Sequence, residues 1–226
     1  ATISAVKYGN SFAFVGFYIV KPDYRGKGYG LRIWNAALAT LQGRNVGLDG
    51  VVDRQPNYRK SGFALAWRNI RYQGTGTGAR PAEYDIVPLA SRDFAEILSY
   101  DRQFFPDDRT RFLAQWIDSP ATIAAAILVG NRVRGYGVMR PCRTGSKIGP
   151  LFADSAELAE RLFSYFRARL PAGEPLFLDI PETNVAAREL VQRHEMSPAF
   201  ETARMYAGTI PDLPINRLFG ITTFEL

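Results

Sequence analysis

Arg25-Gly26-Lys27-Gly28-Tyr29-Gly30 is the stretch whose reading decides the fold. The apolar run before it, Phe12 to Val20, reads as a strand. After it, Leu31, Trp34, Leu38 and Leu41 recur at helical spacing, so Leu31 to Leu41 reads as a helix. A basic, glycine-rich loop therefore sits where a strand hands over to a helix. Backbone N–H groups at such a junction point one way, and the helix dipole adds partial positive charge. Three glycines let a bulky anion approach the backbone closely, and Arg25 and Lys27 add formal charge. Such a loop can cradle a phosphate or pyrophosphate, or it can be a plain basic surface turn. The Walker pattern fails because Leu31-Arg32 follows Gly30, and the dinucleotide fingerprint fails because Gly26, Gly28 and Gly30 alternate.

Working outward, Thr2 to Tyr8 and Phe12 to Val20 read as a hairpin about Gly9-Asn10. The second strand is nearly all apolar, so both its faces are expected to be covered, as in a central strand of an α/β layer. Val46 to Val52 reads as a third strand, interrupted by Asp49. Pro56 to Ser61 is a short helical turn, and Gly62-Phe63 opens a strand from Ala64 to Tyr72. Gln73 to Ala79 is glycine-rich and reads as a linker, with residues 74–81 joining two units at 1–73 and 82–208.

The second unit reads as a strand from Tyr84 to Leu89, then a helix capped by Ser91 with Asp93 in its first turn. A further helix starts at Asp107 or Asp108. Strands follow at Thr122–Val129, Arg132–Met139 and Ile148–Ala153. A helix from Ser155 to Leu170, a strand from Leu176 to Ile180, a helix from Asn184 to His194 and a strand from Phe200 to Tyr206 complete it. The tail, 209–226, is expected to end as a strand added to a sheet.

The totals bound the function. The chain has 226 residues, 46% of them hydrophobic, enough for a real core. No apolar run reaches the roughly 18 residues a membrane span needs, and no signal peptide is visible. One cysteine, Cys142, excludes an internal disulfide and a cysteine-based metal cluster. One histidine, His194, excludes a multi-histidine metal site, so no metal is expected. Together these favour a reducing, cytoplasmic setting. The net charge of +6 suits a polyanionic ligand, while the lack of long basic runs or aromatic RNA-binding patterns argues against nucleic acid.

Two hexapeptides carry a resemblance. Arg25, Gly28 and Gly30 fit the pattern [RQ]-x-x-G-x-[GA], and Tyr58-Arg59-Lys60-Ser61-Gly62-Phe63 fits Y-x-x-x-G-F at the matching distance. With a helix, a strand and a short helix between them, they resemble the GCN5-related N-acetyltransferase (GNAT) superfamily. The resemblance implies a mixed α/β sheet and acetyl-CoA as cosubstrate. The pantetheine would pair with the backbone of Tyr18, Ile19 and Val20 like an added strand. The pyrophosphate would sit on the amides of Arg25, Gly26, Lys27, Gly28, Tyr29 and Gly30, and Lys27 or Lys60 would reach a phosphate.

The implied reaction is acetyl transfer to a primary amine of a small-molecule or peptide acceptor. Tyr58 is the candidate donor to the leaving thiolate, and its other reading is a half-buried aromatic at a helix start. The strand before the loop lacks the Glu that many family members carry. Asp49 is then the candidate base, directly or through water, or a site for a cationic acceptor, or a structural carboxylate. Asp179 is a weaker candidate for the acceptor pocket. A second hypothesis is a non-catalytic acyl-CoA-binding sensor.

The two units share an element order. Ile148–Ala153 and its helix parallel Phe12–Val20 and its helix, and Gly47-Leu48-Asp49 parallels Phe177-Leu178-Asp179. This suggests two GNAT-like domains in tandem, the first lacking its N-terminal elements here. The full-length protein is expected to be longer at that end, which a start codon immediately before Ala1 would contradict. Where the first unit has Arg25–Gly30, the second has Asp154-Ser155-Ala156-Glu157. Those carboxylates suit the helix dipole but repel a pyrophosphate, so one coenzyme site per chain is expected.

Overall fold

The computed structural model describes residues 1–79 and 85–224. Tyr84, where the sequence places a strand start, and the last two residues of the tail lie outside the described residues. The first unit runs β1 (Thr2–Tyr8), β2 (Phe12–Ile19), α1 (Tyr29–Ala39), β3 (Asn45–Val51), α2 (Gln55–Lys60) and β4 (Ala64–Thr75). The second runs β5 (Ile86–Pro88), α3 (Phe94–Asp101), α4 (Thr110–Ile117), β6 (Ile123–Val129), β7 (Arg132–Pro141) and β8 (Ser146–Ala153). It continues with α5 (Ala156–Ala168), β9 (Pro175–Pro181), α6 (Val185–Arg193), β10 (Ser197–Tyr206) and β11 (Leu218–Gly220).

These strands build one mixed sheet in the order β1-β2-β3-β10-β4-β9-β8-β7-β6-β5, with β11 paired to β8. The sheet does not break where the chain passes from one unit to the other. β10 lies antiparallel between β3 and β4, and β4 in turn pairs with β9. The first unit thus lends β4 to the second, and the second lends β10 to the first. Without β10 the first unit would leave the inner edges of β3 and β4 unpaired, each a row of unsatisfied backbone groups.

α1 and α2 cover one face of the first unit, where Trp34, Leu41 and Phe63 meet Ala13, Val15, Leu48, Ala203 and Met205. On the other face Phe105, from the second unit, packs with Tyr8, Phe12, Phe14, Trp67 and Tyr206. Asp107 beside it accepts hydrogen bonds from the Ser11 amide, the Ser11 hydroxyl and the Phe12 amide. α5 and α6 bury the larger core of the second unit, from Leu162 and Phe166 to Leu190 and Val191.

Several expectations change. The cap of α3 is Asp93, which accepts from the Ala95 amide at 3.0 Å, while the Ser91 hydroxyl turns back to the Pro88 carbonyl. Asp108, through the Thr110 amide, starts α4. The glycine-rich stretch after Gln73 is docked, not loose: β4 extends to Thr75, and the Gly76, Thr77 and Gly78 amides donate to Glu174, Arg167 and Leu170 carbonyls. A Cβ on Gly76 would come within 2.5 Å of the Pro171 carbonyl oxygen, so glycine serves close approach there. β2 is buried on both faces only from Phe12 to Val15; Phe17 and Ile19 are more than half exposed.

Candidate functional site

The exposed half of β2 has a geometric cause. β2 and β3 run parallel and pair from Phe12↔Asn45 to Val15↔Leu48, and then separate. Beyond that point no described strand pairs the facing edges of Gly16–Ile19 and Asp49–Val51. A bulge in β2 opposite β1 marks the same place, with Phe17 at φ +49°. The result is a wedge with unpaired backbone on both sides. An extended amide chain fits such a wedge, because it can add the missing ladder.

The loop sits at the mouth of this wedge. Pro22–Tyr24 makes one 3-10 turn, and the Arg25 guanidinium Nε donates to the Val20 carbonyl at 3.0 Å, folding the loop against the strand end. Gly28 is the N-cap of α1 at φ +78°, where a side chain would be strained, and a Cβ on Gly26 or Gly28 would meet only open space. No side chain caps α1 and no acidic residue lies in its first turn, so its leading N–H groups keep their donor capacity. The Lys27 ammonium lies 5.6 Å from the centre of the Tyr24 ring, and Tyr29 lies beside that ring. A concave surface of about 630 Å³ next to the loop is lined by Tyr24, Tyr29, Arg32, Ile33 and Ala1. These residues fit a pyrophosphate: bare amides, open glycines and three cations, with no carboxylate in the helix's first turn.

Tyr58 joins this site through aromatic packing. Trp34 of α1 has Tyr18 at 5.2 Å, Tyr58 at 5.6 Å and Phe63 at 5.8 Å between ring centroids. Its indole N–H donates to the Ser61 hydroxyl at 3.1 Å, tying α1 to the end of α2. The Tyr58 ring lies on the backbone of Gly50, where a Cβ would approach it to 2.3 Å. Tyr58 is therefore held at the β3 wall of the wedge, and Tyr18 at the β2 wall. Burial pushes the Tyr58 hydroxyl up, Tyr18 adds to this, and Arg54 opposes it. The hydroxyl is accordingly protonated at neutral pH. Lys60 is exposed at the end of the same helix.

Asp49 is not brought to the wedge in the same way. Its side chain has no exposure. One oxygen accepts from the Asn69 amide at 2.8 Å, and the other from Arg204 Nε and Nη2 at 3.1 and 2.5 Å. Burial pushes the Asp49 carboxyl up against the pull of that guanidinium. Its carboxylate oxygens are thus engaged by Arg204 and Asn69. Of its sequence readings, the geometry matches the hydrogen-bonded structural carboxylate.

Asp179 occupies the equivalent place in the second unit. It faces Arg71 on β4 in the same register that sets Asp49 against Arg204 on β10. Arg71 grips it with two bonds of 2.7 and 2.9 Å, and Lys147 adds a third. Burial raises its carboxyl, but Lys147 and Arg71 together more than reverse this and leave it below the usual range. His194 ends α6 and sits between Glu160 and Arg167, a structural position.

The second unit has its own parallel pair, β8 with β9 from Ser146↔Leu176 to Ile148↔Leu178, and its own separation beyond it. There the gap is filled. β11 pairs with β8, and the Ile221 amide donates to the Asp179 carbonyl at 2.8 Å, so the tail bridges both strands. α5 is capped by Ser155, with Glu157 in its first turn. Asp154 holds Arg217 of the tail and Arg134.

The family model described as "Acetyltransferase (GNAT) domain" matches residues 97–220, more than half of the chain, and the one described as "Acetyltransferase (GNAT) family" matches residues 1–63. The chain belongs to the GNAT acetyltransferases. Each half of this GNAT chain matches a model of the family, in line with the tandem repeat. A holothin acyltransferase of Pseudoalteromonas sp. (strain SANK 73390) is 28% identical over the whole chain, which spans 77% of that protein. An uncharacterized N-acetyltransferase of Bacillus subtilis (strain 168), YitH, is 25% identical over 77% of the chain and 62% of its own length. Among solved structures, a putative acetyltransferase from Pyrococcus horikoshii superposes with a TM-score of 0.81 at 25% identity, over 99% of this chain and 74% of that one. A GCN5-related N-acetyltransferase from Sphaerobacter thermophilus shares the fold, with a TM-score of 0.62 at 15% identity. Among the described residues no helix is long and apolar enough to cross a membrane.

Trp34, Gly50 and Arg204 were not singled out from the sequence. Trp34 gave only a core signal at helical spacing. Gly50 stands next to Asp49 and could have marked the close approach of a ring. Arg204 gave no signal, because its partner lies 155 residues away.

Proposed function

We propose that this GNAT acetyltransferase moves an acetyl group from acetyl-CoA to a primary amine, with a single coenzyme site in the first unit. The observation that carries the reading is the open wedge between β2 and β3, with a bare, basic glycine loop at its mouth. Tyr18, Ile19 and Val20 would hold the pantetheine, and Arg25 to Gly30 the pyrophosphate, with Lys27 and Lys60 in reach of a phosphate. Bound there, the coenzyme supplies an activated thioester. The protein aligns the amine with the acetyl carbon, and the Tyr58 hydroxyl hydrogen-bonds the sulfur as the carbon–sulfur bond breaks and charge develops. Asp49 is spent on Arg204, so water takes the proton the amine loses, and the rate rises with pH along the acceptor's own titration. A cytoplasmic setting, where acetyl-CoA is available, belongs to the same proposal.

The acceptor is a small-molecule or peptide amine, and a relative named for holothin acylation makes small amines the first class to screen. The test is thiol release from acetyl-CoA against amino acids, polyamines, aminoglycosides, peptides and holothin. A turnover-competent amine is expected, and Tyr58→Phe should lower kcat by about 100-fold with acetyl-CoA affinity kept. Tight acetyl-CoA binding with no release above hydrolysis across the panel, or an unchanged kcat in Tyr58→Phe, would contradict the assignment.

A further inference from the structure

A second basic cavity lies away from the coenzyme wedge, at the turn between β7 and β8. It has a volume of about 360 Å³, and Arg71, Arg140, Arg143 and Lys147 all line it. Two of these cations, Arg71 and Lys147, pair with Asp179, which has no side-chain exposure. Asp179 is committed to Arg71 and Lys147. Arg140 and Arg143 have no carboxylate within 4.0 Å among the described residues. The Arg140 guanidinium lies over the Trp116 ring at 4.6 Å, and its Nε is buried without a hydrogen-bond partner. An unpaired buried donor and uncompensated like charge each cost free energy. Their concentration around one cavity is the arrangement that an anion would relieve, since arginine forks match the planar geometry of carboxylates and phosphates.

We propose that this cavity binds a small molecule through a carboxylate or phosphate oxyanion, held chiefly by Arg140 and Arg143. Lys147 and Arg71 set the positive field at its floor. Apart from Arg71 on β4, its lining belongs to the second unit, whose helix N-terminus is capped and whose wedge the tail fills, so the site does not depend on the coenzyme wedge.

Cys142, the only cysteine, is exposed and lines the same cavity, so it reports on it directly. The experiment compares alkylation of the full chain by iodoacetate, an anion, with that by neutral iodoacetamide, at fixed ionic strength. The ratio of the two rates should exceed that of N-acetylcysteine by about tenfold or more, because a focused positive field concentrates the anion. Inorganic phosphate should slow iodoacetate saturably, and more than sodium chloride of equal ionic strength does. Acetate in the same assay separates carboxylate from phosphate preference. Arg143→Gln, at an exposed position, and Arg140→Gln should each lower the ratio and the protection, while Arg25→Ala with Gly28→Asp should change neither. A ratio equal to that of the free thiol, or phosphate protection no greater than that of chloride, would overturn the proposal. So would protection lost only in the coenzyme-loop variant.

Discussion

The two strand–loop–helix–strand halves of this chain share a frame and differ at the two places where the proposed coenzyme would bind. In both, a parallel pair opens after three or four residues, and an aspartate on the second strand faces an arginine lent by the other unit. In the first half no described strand enters the opening, and the helix beyond it starts from a left-handed glycine with no side-chain cap. In the second, the tail supplies the missing strand, and Ser155 with Glu157 takes over the helix N-terminus. The backbone groups that a ligand would satisfy in one half are satisfied by the protein itself in the other. The wedge of the first half is thus an unfinished sheet, and the second half is the finished version.

The largest expected effect breaks the shared part of the frame. Asp179→Ala would take away the carboxylate that Lys147 and Arg71 share and should cost about 3–5 kcal/mol in urea denaturation, with Asp49→Ala at the lower end of that range because that carboxylate serves one cation, not two. Equal stability of both variants and the parent would remove the ion pairs from the account. Next, Arg25→Ala combined with Gly28→Asp should weaken acetyl-CoA binding by about 100-fold, through a strained φ and a carboxylate at the loop. The matching change in the second half, Ser155→Ala, should cost about 1 kcal/mol of stability and leave coenzyme affinity untouched. The smallest effect separates the two aspartates. Asp179 is held below the usual carboxylate range, so its contribution is present above the unfolded value of about 3.9 and is lost as pH falls through its folded value. Lys147→Met leaves one cation, as at Asp49, and should make the fall in stability between about pH 5 and pH 2 shallower. An unchanged acid limb would show that Lys147 does not set the depression.

Much of this was legible in the sequence because it is local. Strand and helix positions followed from apolar spacing, and the loop and the Tyr58–Phe63 hexapeptide, with their separation, led to the family. The parallel between Asp49 and Asp179 was also visible. The exchange of β4 and β10 was not, since pairing between strands far apart in the chain leaves no mark in either one. For the same reason Asp49 read as a candidate base: its partner Arg204 is distant, and an isolated carboxylate in an apolar strand suggests chemistry. The outer half of β2 misled differently. Phe17, Tyr18 and Ile19 are as apolar as Phe12 to Val15, and an apolar run reads the same whether protein covers it or a ligand would. The tail was expected to end in a terminal strand from Ile221, but the strand falls earlier, at Leu218–Gly220, and residues 221–224 are not strand. The sequence did not show that β11 would finish the second sheet at the point where the first stays open.

The most direct test is calorimetric titration of the chain with acetyl-CoA. One site per chain, lost in Arg25→Ala with Gly28→Asp and retained in Ser155→Ala, is the expected result. Two sites per chain, or an affinity that survives the loop variant, would contradict the division between an open and a finished half.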